Sequence, residues 1–245
     1  MTSERLDVAL AARGLASSRT AAQAIILAGE ALVDGQVEHK ASRKVTAENI
    51  LAVKTPPRFV SRGGEKLEGA FAAFPGLDAK EKVCLDVGSS TGGFTDCLLQ
   101  HGARRVMAVD VGTNQLAYKL RTDPRVWVRE NFNARYMAAA DLPETPELAV
   151  TDVSFISLEL ILPPIKDVLA PGGEIVALIK PQFEVGKGNA PGGLVRDEGL
   201  RQGAVDKITA FARDTLKLEL LGLEKSPVPG REMGNIEFLS WWRKP

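Results

Sequence analysis

Cysteine and histidine are scarce in this chain of 245 residues, with two of each. Cys84 and Cys97 fall in a predicted strand and a predicted helix, so buried reduced thiols are expected and a disulfide framework is excluded. His39 and His101 stand apart and no zinc-ligand spacing occurs, so no metal is expected. No apolar run is long enough to cross a bilayer and no basic-then-apolar leader opens the chain, which points away from a membrane and towards the cytoplasm. An overall excess of charge is missing too, with 31 Lys/Arg against 31 Asp/Glu. The balance is uneven, however: residues 1–66 carry ten basic and seven acidic side chains. A mildly basic front end is compatible with nucleic acid without demanding it. The length suits one large domain plus a small one, and 44% hydrophobic with 25% charged residues is a soluble globular composition.

The most informative stretch is VCLDVGSSTGGF, residues 83–94. Val83, Cys84, Leu85 and Val87 read as a buried strand, Gly88, Gly92 and Gly93 permit a sharp turn, and a helix continues over 94–100. A strand feeding a glycine loop feeding a helix is a nucleotide-type site at the carboxyl edge of a parallel sheet. The spacing is neither G-x-G-x-x-G nor G-x-x-x-x-G-K-[ST], which disfavours dinucleotides and triphosphates. Asp86, two residues before the first glycine, suits a cationic ligand such as S-adenosylmethionine. The other reading is a purely structural strand–turn–helix corner.

Ahead of this stretch, residues 4–54 read as a compact α+β unit. Leu6, Val8, Ala9 and Leu10 begin a helix closed by Gly14. Ser17-Ser18 caps a second helix with Ala21, Ala22, Ile25, Ile26 and Leu27 on its apolar face and Gly29 at its end. Asp34-Gly35 is the favoured turn of a hairpin between residues 31–33 and 36–37, and 45–53 reads as one further strand. RLDVALAARGLASSRTAAQAIILAGEALVDGQV resembles an S4 RNA-binding domain. The resemblance implies RNA contact, with Arg19 first and Arg5, Lys40 and Arg43 as further candidates. Residues 1–54 form this domain, and a connector over 55–60 follows, marked by Pro56-Pro57.

Residues 61–245 alternate strand and helix as a Rossmann-like α/β domain. Strands are expected over 106–110, 126–128, 148–152, 175–180, 218–223 and 235–242. Helices are expected over 115–120, 161–169 (broken by Pro163-Pro164) and 200–216, with a mobile glycine loop over 186–193. Asp110 ends a strand 24 residues after Asp86, near the offset of a ribose-binding acid. Asn131 and Phe132 lie in a loop where an adenine could be bracketed. Asp152, Lys180 and Glu237 meet the same sheet edge, and Lys66 sits in a first helical turn, where it opposes the helix dipole. Each alone reads as a surface charge; together they read as chemistry.

The series SRGGEKL, DVGSSTGGF, VDVGTNQLAYKLR, TDVSFISL, LIKPQFEVGKG and GNIEF resembles the TlyA family, bacterial rRNA 2′-O-methyltransferases with an S4 domain joined to an FtsJ-like domain. The resemblance implies a catalytic tetrad of Lys66, Asp152, Lys180 and Glu237. It implies S-adenosylmethionine held by Asp86, Gly88, Ser89, Ser90, Thr91, Gly92, Gly93 and Phe94, with Asp110 on the ribose and Asn131-Phe132 near the adenine. Arg62 joins the RNA contacts, and the acceptor is a cytidine ribose in ribosomal RNA or ribosomal subunits. The stop soon after the last strand resembles the shorter family form, for which the large subunit is expected. Lys180 is the candidate base and must shed its own proton first, which burial or the nearby Lys66 cation favours. Such a reaction needs no metal. The rival readings are a non-catalytic RNA-binding assembly factor and a haemolysin, the latter lacking any pore-forming segment.

Overall fold

A computed structural model describes residues 3–16, 18–54, 58–186, 188–230 and 234–245. The chain divides into two units, Met1–Arg58 and Phe59–Pro245. In the smaller unit β1 (Glu4–Arg5) leads into α1 (Leu6–Ala12), then α2 (Arg19–Leu27), β2 (Ala31–Val33), β3 (Gln36–Val37), β4 (Lys44–Val45) and β5 (Leu51–Val53). Ser18 caps α2, its hydroxyl accepting from the Ala21 N–H; Ser17 lies outside the described residues. Asp34 and Gly35 both take positive φ, 52° and 80°, as the tight hairpin turn requires. Leu6, Leu10, Ile26 and Val33 are fully or almost fully buried in the core of this unit. Leu27, expected on the apolar face of α2, is 82% exposed instead.

The stretch 45–53 is not one strand. β4 pairs with β1 and β5 pairs with β2. Asn49 breaks the run: its side chain accepts from the Thr46 N–H at 2.8 Å and donates to Asp34 at 2.7 Å, a local alternative to the ladder.

In the larger unit Phe59 and Val60, read from sequence as connector, are part of the folded body. Phe59 is buried against Gly64, and the Val60 N–H donates to Asp96 at 2.9 Å. The elements that follow are α3 (Gly63–Ala73), β6 (Val83–Val87), α4 (Gly93–Gln100), β7 (Arg105–Val109), α5 (Tyr118–Arg121), β8 (Val126–Arg129), β9 (Leu148–Thr151), α6 (Leu162–Val168), β10 (Glu174–Ile179), α7 (Pro181–Glu184), α8 (Glu198–Ala210), β11 (Glu219–Lys225) and β12 (Phe238–Arg243). The seven strands run β11-β12-β10-β9-β6-β7-β8, with β12 antiparallel to both neighbours and the rest parallel.

Both faces of the sheet are covered, which explains the near-continuous apolar strands. Cys84, Val106, Val150 and Trp241 face a core shared with Leu67 and Leu98 of α3 and α4. Leu85, Met107, Ala149 and Trp242 face the opposite core with Ile165 and Ile208 of α6 and α8. Burial pushes the Cys84 thiol up to about 12, leaving it an inert core residue.

Three boundaries differ from expectation for local reasons. The helix over 115–120 shrinks to α5 because Glu130 takes the N–H groups of Asn114, Gln115 and Leu116 at 2.9, 3.0 and 3.4 Å. Pro163 and Pro164 lie in the first turn of α6, where their missing N–H groups cost no intrahelical bond. The last long helix starts earlier, at Glu198, capped by Asp197, and passes into a π-helical turn over Phe211–Thr215.

Candidate active site

Chain order reverses at β6: β7 and β8 are added on one side, β9 and β10 on the other. A crevice therefore opens where the loops after β6 and β9 diverge, the usual ligand position of a doubly wound sheet. A cavity of ≈ 780 Å³ lies here, lined by the glycine loop and by Lys66, Asp152, Lys180 and Glu237.

Each of the four charged groups arrives by a different route. Asp152 immediately follows β9, and Lys180 immediately follows β10. Glu237 precedes β12, and because β12 is antiparallel to β10, with Ile179 opposite Phe238, its start reaches the edge where β10 ends. Lys66 comes from α3, whose approach to the sheet edge depends on glycine. A Cβ on Gly93 would stand 2.7 Å from the Gly64 nitrogen and 3.0 Å from the Gly63 Cα, and one on Gly64 would run into the Phe59 ring. The two helix starts pack backbone to backbone, which brings Lys66 over the glycine loop. We expect Gly93→Ala to cost on the order of 1–3 kcal/mol through overpacking. Denaturant unfolding measures this, and cofactor affinity should fall with it.

Lys66 Nζ donates to Glu237 at 2.7 Å and lies 3.4 Å from Asp152 Oδ2. Lys180 Nζ is 2.6 Å from Asp152 Oδ1, close but off-line for a hydrogen bond, and donates to Ser154 Oγ at 2.8 Å. Asp152 thus holds one lysine on each carboxylate oxygen. Lys66, Lys180 and Glu237 are all buried. Two lysines and two carboxylates make a compact, mostly buried cluster lining the crevice, where charge interactions are screened less than in bulk water.

The glycine loop fits an adenosyl cofactor. Gly92 has φ 97°, and a Cβ there would stand 2.7 Å from Leu116 Cδ1, so only glycine fits. Gly88, Ser89, Ser90, Thr91, Gly93 and Phe94 line the cavity. Asp110 accepts from the N–H of Ser90 at 2.7 Å and of Gly112 at 2.6 Å through different oxygens. Each oxygen keeps a second lone pair for a ribose hydroxyl. Asn131, φ 54°, accepts from Thr113 Oγ1 at 2.6 Å, and Phe132 carries the Arg129 guanidinium 4.0 Å over its ring.

Asp86 is placed differently from the sequence reading. It does not line the cavity; it is 1% exposed and accepts from Thr95 Oγ1 at 2.6 Å. Burial pushes its carboxyl up to about 7 against the pull of Thr95. Its observed contact ties β6 to the first turn of α4.

Among the candidate RNA contacts, Arg5 and Arg19 converge on Asp7, fully buried, at 2.9 Å each. Arg5 foremost holds the Asp7 carboxyl well below the usual carboxylate range. Arg43 pairs with Glu38 at 2.6 Å, and Lys40 is exposed. Arg62 lies in the larger unit, lines the cavity and donates to the Pro229 carbonyl at 3.1 Å.

Sequence reasoning quoted TDVSFISL and LIKPQFE for their charges and passed over their other residues. Phe155 is 84% exposed with φ 64°, packs 5.1 Å from the Phe183 ring and lines the cavity. Glu184, 6% exposed, accepts from Ser157 Oγ at 2.6 Å and the Leu158 N–H at 2.8 Å, clamping the segment after Asp152 to the one after Lys180. Burial pushes the Glu184 carboxyl above its ordinary range.

The FtsJ-like methyltransferase family model matches residues 59–244, and the S4 domain matches residues 4–51. The 16S/23S rRNA (cytidine-2′-O)-methyltransferase TlyA of Mycobacterium tuberculosis is 43% identical over 242 residues, 98% of this chain and 89% of that protein. The 23S rRNA (cytidine-2′-O)-methyltransferase TlyA of Campylobacter jejuni is 39% identical over 189 residues, 76% and 71% of the two chains. A solved structure from Streptococcus thermophilus, named "Putative hemolysin", is 44% identical with a TM-score of 0.75, covering 100% of this chain and 89% of its own. No helix among the described residues is long and apolar enough to cross a membrane. With both domains matched and the resemblance running through almost the whole chain, this protein belongs to the TlyA family of FtsJ-like methyltransferases.

Proposed function

We propose that this chain transfers a methyl group from S-adenosylmethionine to a cytidine 2′-hydroxyl of ribosomal RNA, acting on the large-subunit RNA that the names of both TlyA relatives share. The observation that carries this reading is the Lys66–Asp152–Lys180–Glu237 cluster beside the glycine loop at the sheet's switch point. When bound, the cofactor supplies the methyl group and its own leaving group, a neutral thioether. The chain must remove the hydroxyl proton and hold the oxygen in line. Lys180, once its own ammonium proton has passed to solvent, would accept the hydroxyl proton at Nζ. Lys66 steadies the developing negative oxygen, fixed in place by Glu237. Asp152 lies against the Nζ of both lysines and accommodates the charge change as the proton moves.

Phe155 would support the flipped acceptor base. A large aromatic in left-handed backbone is strained by about 1–3 kcal/mol, and such strain collects at working sites. Stacking on an aromatic contributes about 1–3 kcal/mol per base. Phe155→Ala should therefore raise the KM for RNA by roughly 5- to 150-fold while leaving cofactor affinity unchanged, as steady-state kinetics and cofactor titration would show.

The deciding measurement is transfer of labelled methyl to separated ribosomal subunits, with the label mapped to base or ribose. Ribose label on the large subunit is expected. Label on both subunits would keep the chemistry and discard the subunit choice. No label on either, from protein that binds cofactor, would turn the reading to an RNA-binding assembly factor.

A further inference from the structure

Behind the catalytic cavity, α3 and α4 bring together three side chains that methyl transfer does not use. Glu68 lies two residues past Lys66, about 200° around the helix, so it faces away from the cavity side that Lys66 lines. Cys97 and His101 sit at i and i+4 on α4 and its C-cap, one face of one helix. Glu68 Oε2 is 2.7 Å from His101 Nε2 and 3.8 Å from Cys97 Sγ, and all three donor atoms lie within 4.8 Å of one another. Ligand spacing could not reveal this, because Glu68 is 29 residues before Cys97.

We infer that Glu68, Cys97 and His101 form a binding site for one zinc-like divalent cation bridging α3 and α4. The donor set is one thiolate, one imidazole and one carboxylate. Three protein ligands with a fourth position left to water is a familiar zinc arrangement, and this mix of soft and borderline donors selects zinc over calcium or magnesium. Charge closes as well: a doubly positive ion with one thiolate, one carboxylate and a neutral imidazole is neutral, which suits a half-buried place. Binding replaces the Cys97 thiol proton, released to solvent, and any proton shared between His101 and Glu68.

Geometry supports the inference at each ligand. The His101 ring stacks on Phe71 with centroids 3.9 Å apart and an interplanar angle of 13°, which holds Nε2 towards Glu68. Cys97 is fully buried, whereas the His101 and Glu68 side chains are 28% and 32% exposed, so an ion can enter from solvent and meet the thiol beneath. The glycine contacts at the helix starts keep the two helices close enough for ligands on both. The donor separations of 2.7, 3.8 and at most 4.8 Å bracket the roughly 3.3–3.7 Å that a tetrahedral zinc with bonds of about 2.0–2.3 Å imposes, so changes of up to roughly 1.3 Å bring all three into place.

The site is tested on the full-length chain, freed of metal and titrated with cobalt(II) and zinc(II). One equivalent of cobalt should bring a thiolate-to-metal charge-transfer band and intense four-coordinate visible bands, both displaced by zinc. Cys97→Ser should abolish the charge-transfer band, and Glu68→Gln and His101→Asn should each weaken zinc binding, read by competition with a chromogenic chelator. The last two replace partly exposed side chains, so they keep the test open if Cys97→Ser fails to fold. A chain that gives no charge-transfer band, or whose zinc affinity is unchanged in both Glu68→Gln and His101→Asn, would overturn the inference and leave an ordinary interhelical hydrogen bond.

Discussion

Lys180→Ala should lower the rate of methyl transfer by roughly 10²–10⁴-fold, the usual span for losing a positioned proton acceptor. Cofactor affinity should change little, because Lys180 stands just after β10 and contacts Asp152, Ser154 and Phe183, which lie outside the glycine loop. Lys180→Arg should fare no better than alanine, since a guanidinium does not give up its proton. Single-turnover kinetics with saturating cofactor, beside a direct cofactor titration, separate the two effects. Retained full activity would remove Lys180 from the base role. A loss confined to cofactor binding would make it a structural ion-pair partner instead.

Glu237→Ala should destabilise the fold by about 1–3 kcal/mol, because the buried Lys66 ammonium loses its 2.7 Å partner and keeps only Asp152 at 3.4 Å. The Lys66 and Glu237 side chains are 10% and 2% exposed and meet at 2.7 Å, so solvent cannot replace the lost carboxylate. The apolar double variant Lys66→Met with Glu237→Leu should recover most of that stability, because a desolvated ion pair often adds little over well-packed hydrophobic groups. It should not recover methyl transfer. Urea unfolding and activity measured on the same three proteins would show stability and catalysis parting company. If the double variant is as active as the parent, the pair serves the fold and not the reaction.

Much of this architecture is legible in the sequence because parallel strands buried on both faces read as unbroken apolar runs. VCLDV, RVMAV and EIVALI declare themselves, and the residue that ends each run marks the ligand edge. The charged cluster is legible for a related reason, since Asp152 and Lys180 each follow such a run directly. What local pattern hides is any contact made across the fold. Nothing near Gln115 says that Glu130 will take three of its neighbouring amides and shorten the helix. Asp86 reads as a ligand from its place beside the glycines, yet Thr95 turns it inward. Arg5 and Arg19 read as free contacts for phosphate, but Asp7 already spans them. Glu68 meets Cys97 and His101 only once two helices have packed.

The position of β12 has a bearing on synthesis. This strand follows all the others in the chain, yet it lies between β10 and β11 and brings Glu237 to Lys66, 171 residues earlier. While the chain is still emerging from the ribosome, β10 and β11 have no common neighbour and the Lys66 ammonium has no Glu237. Translation runs at roughly 5–20 residues per second, so the larger unit waits seconds in that unfinished form. The charged cluster is thereby incomplete in every nascent molecule until β12 is inserted into the sheet. The sheet cannot be completed from its edge inwards, because β12, which joins β10 to β11, follows both in the chain.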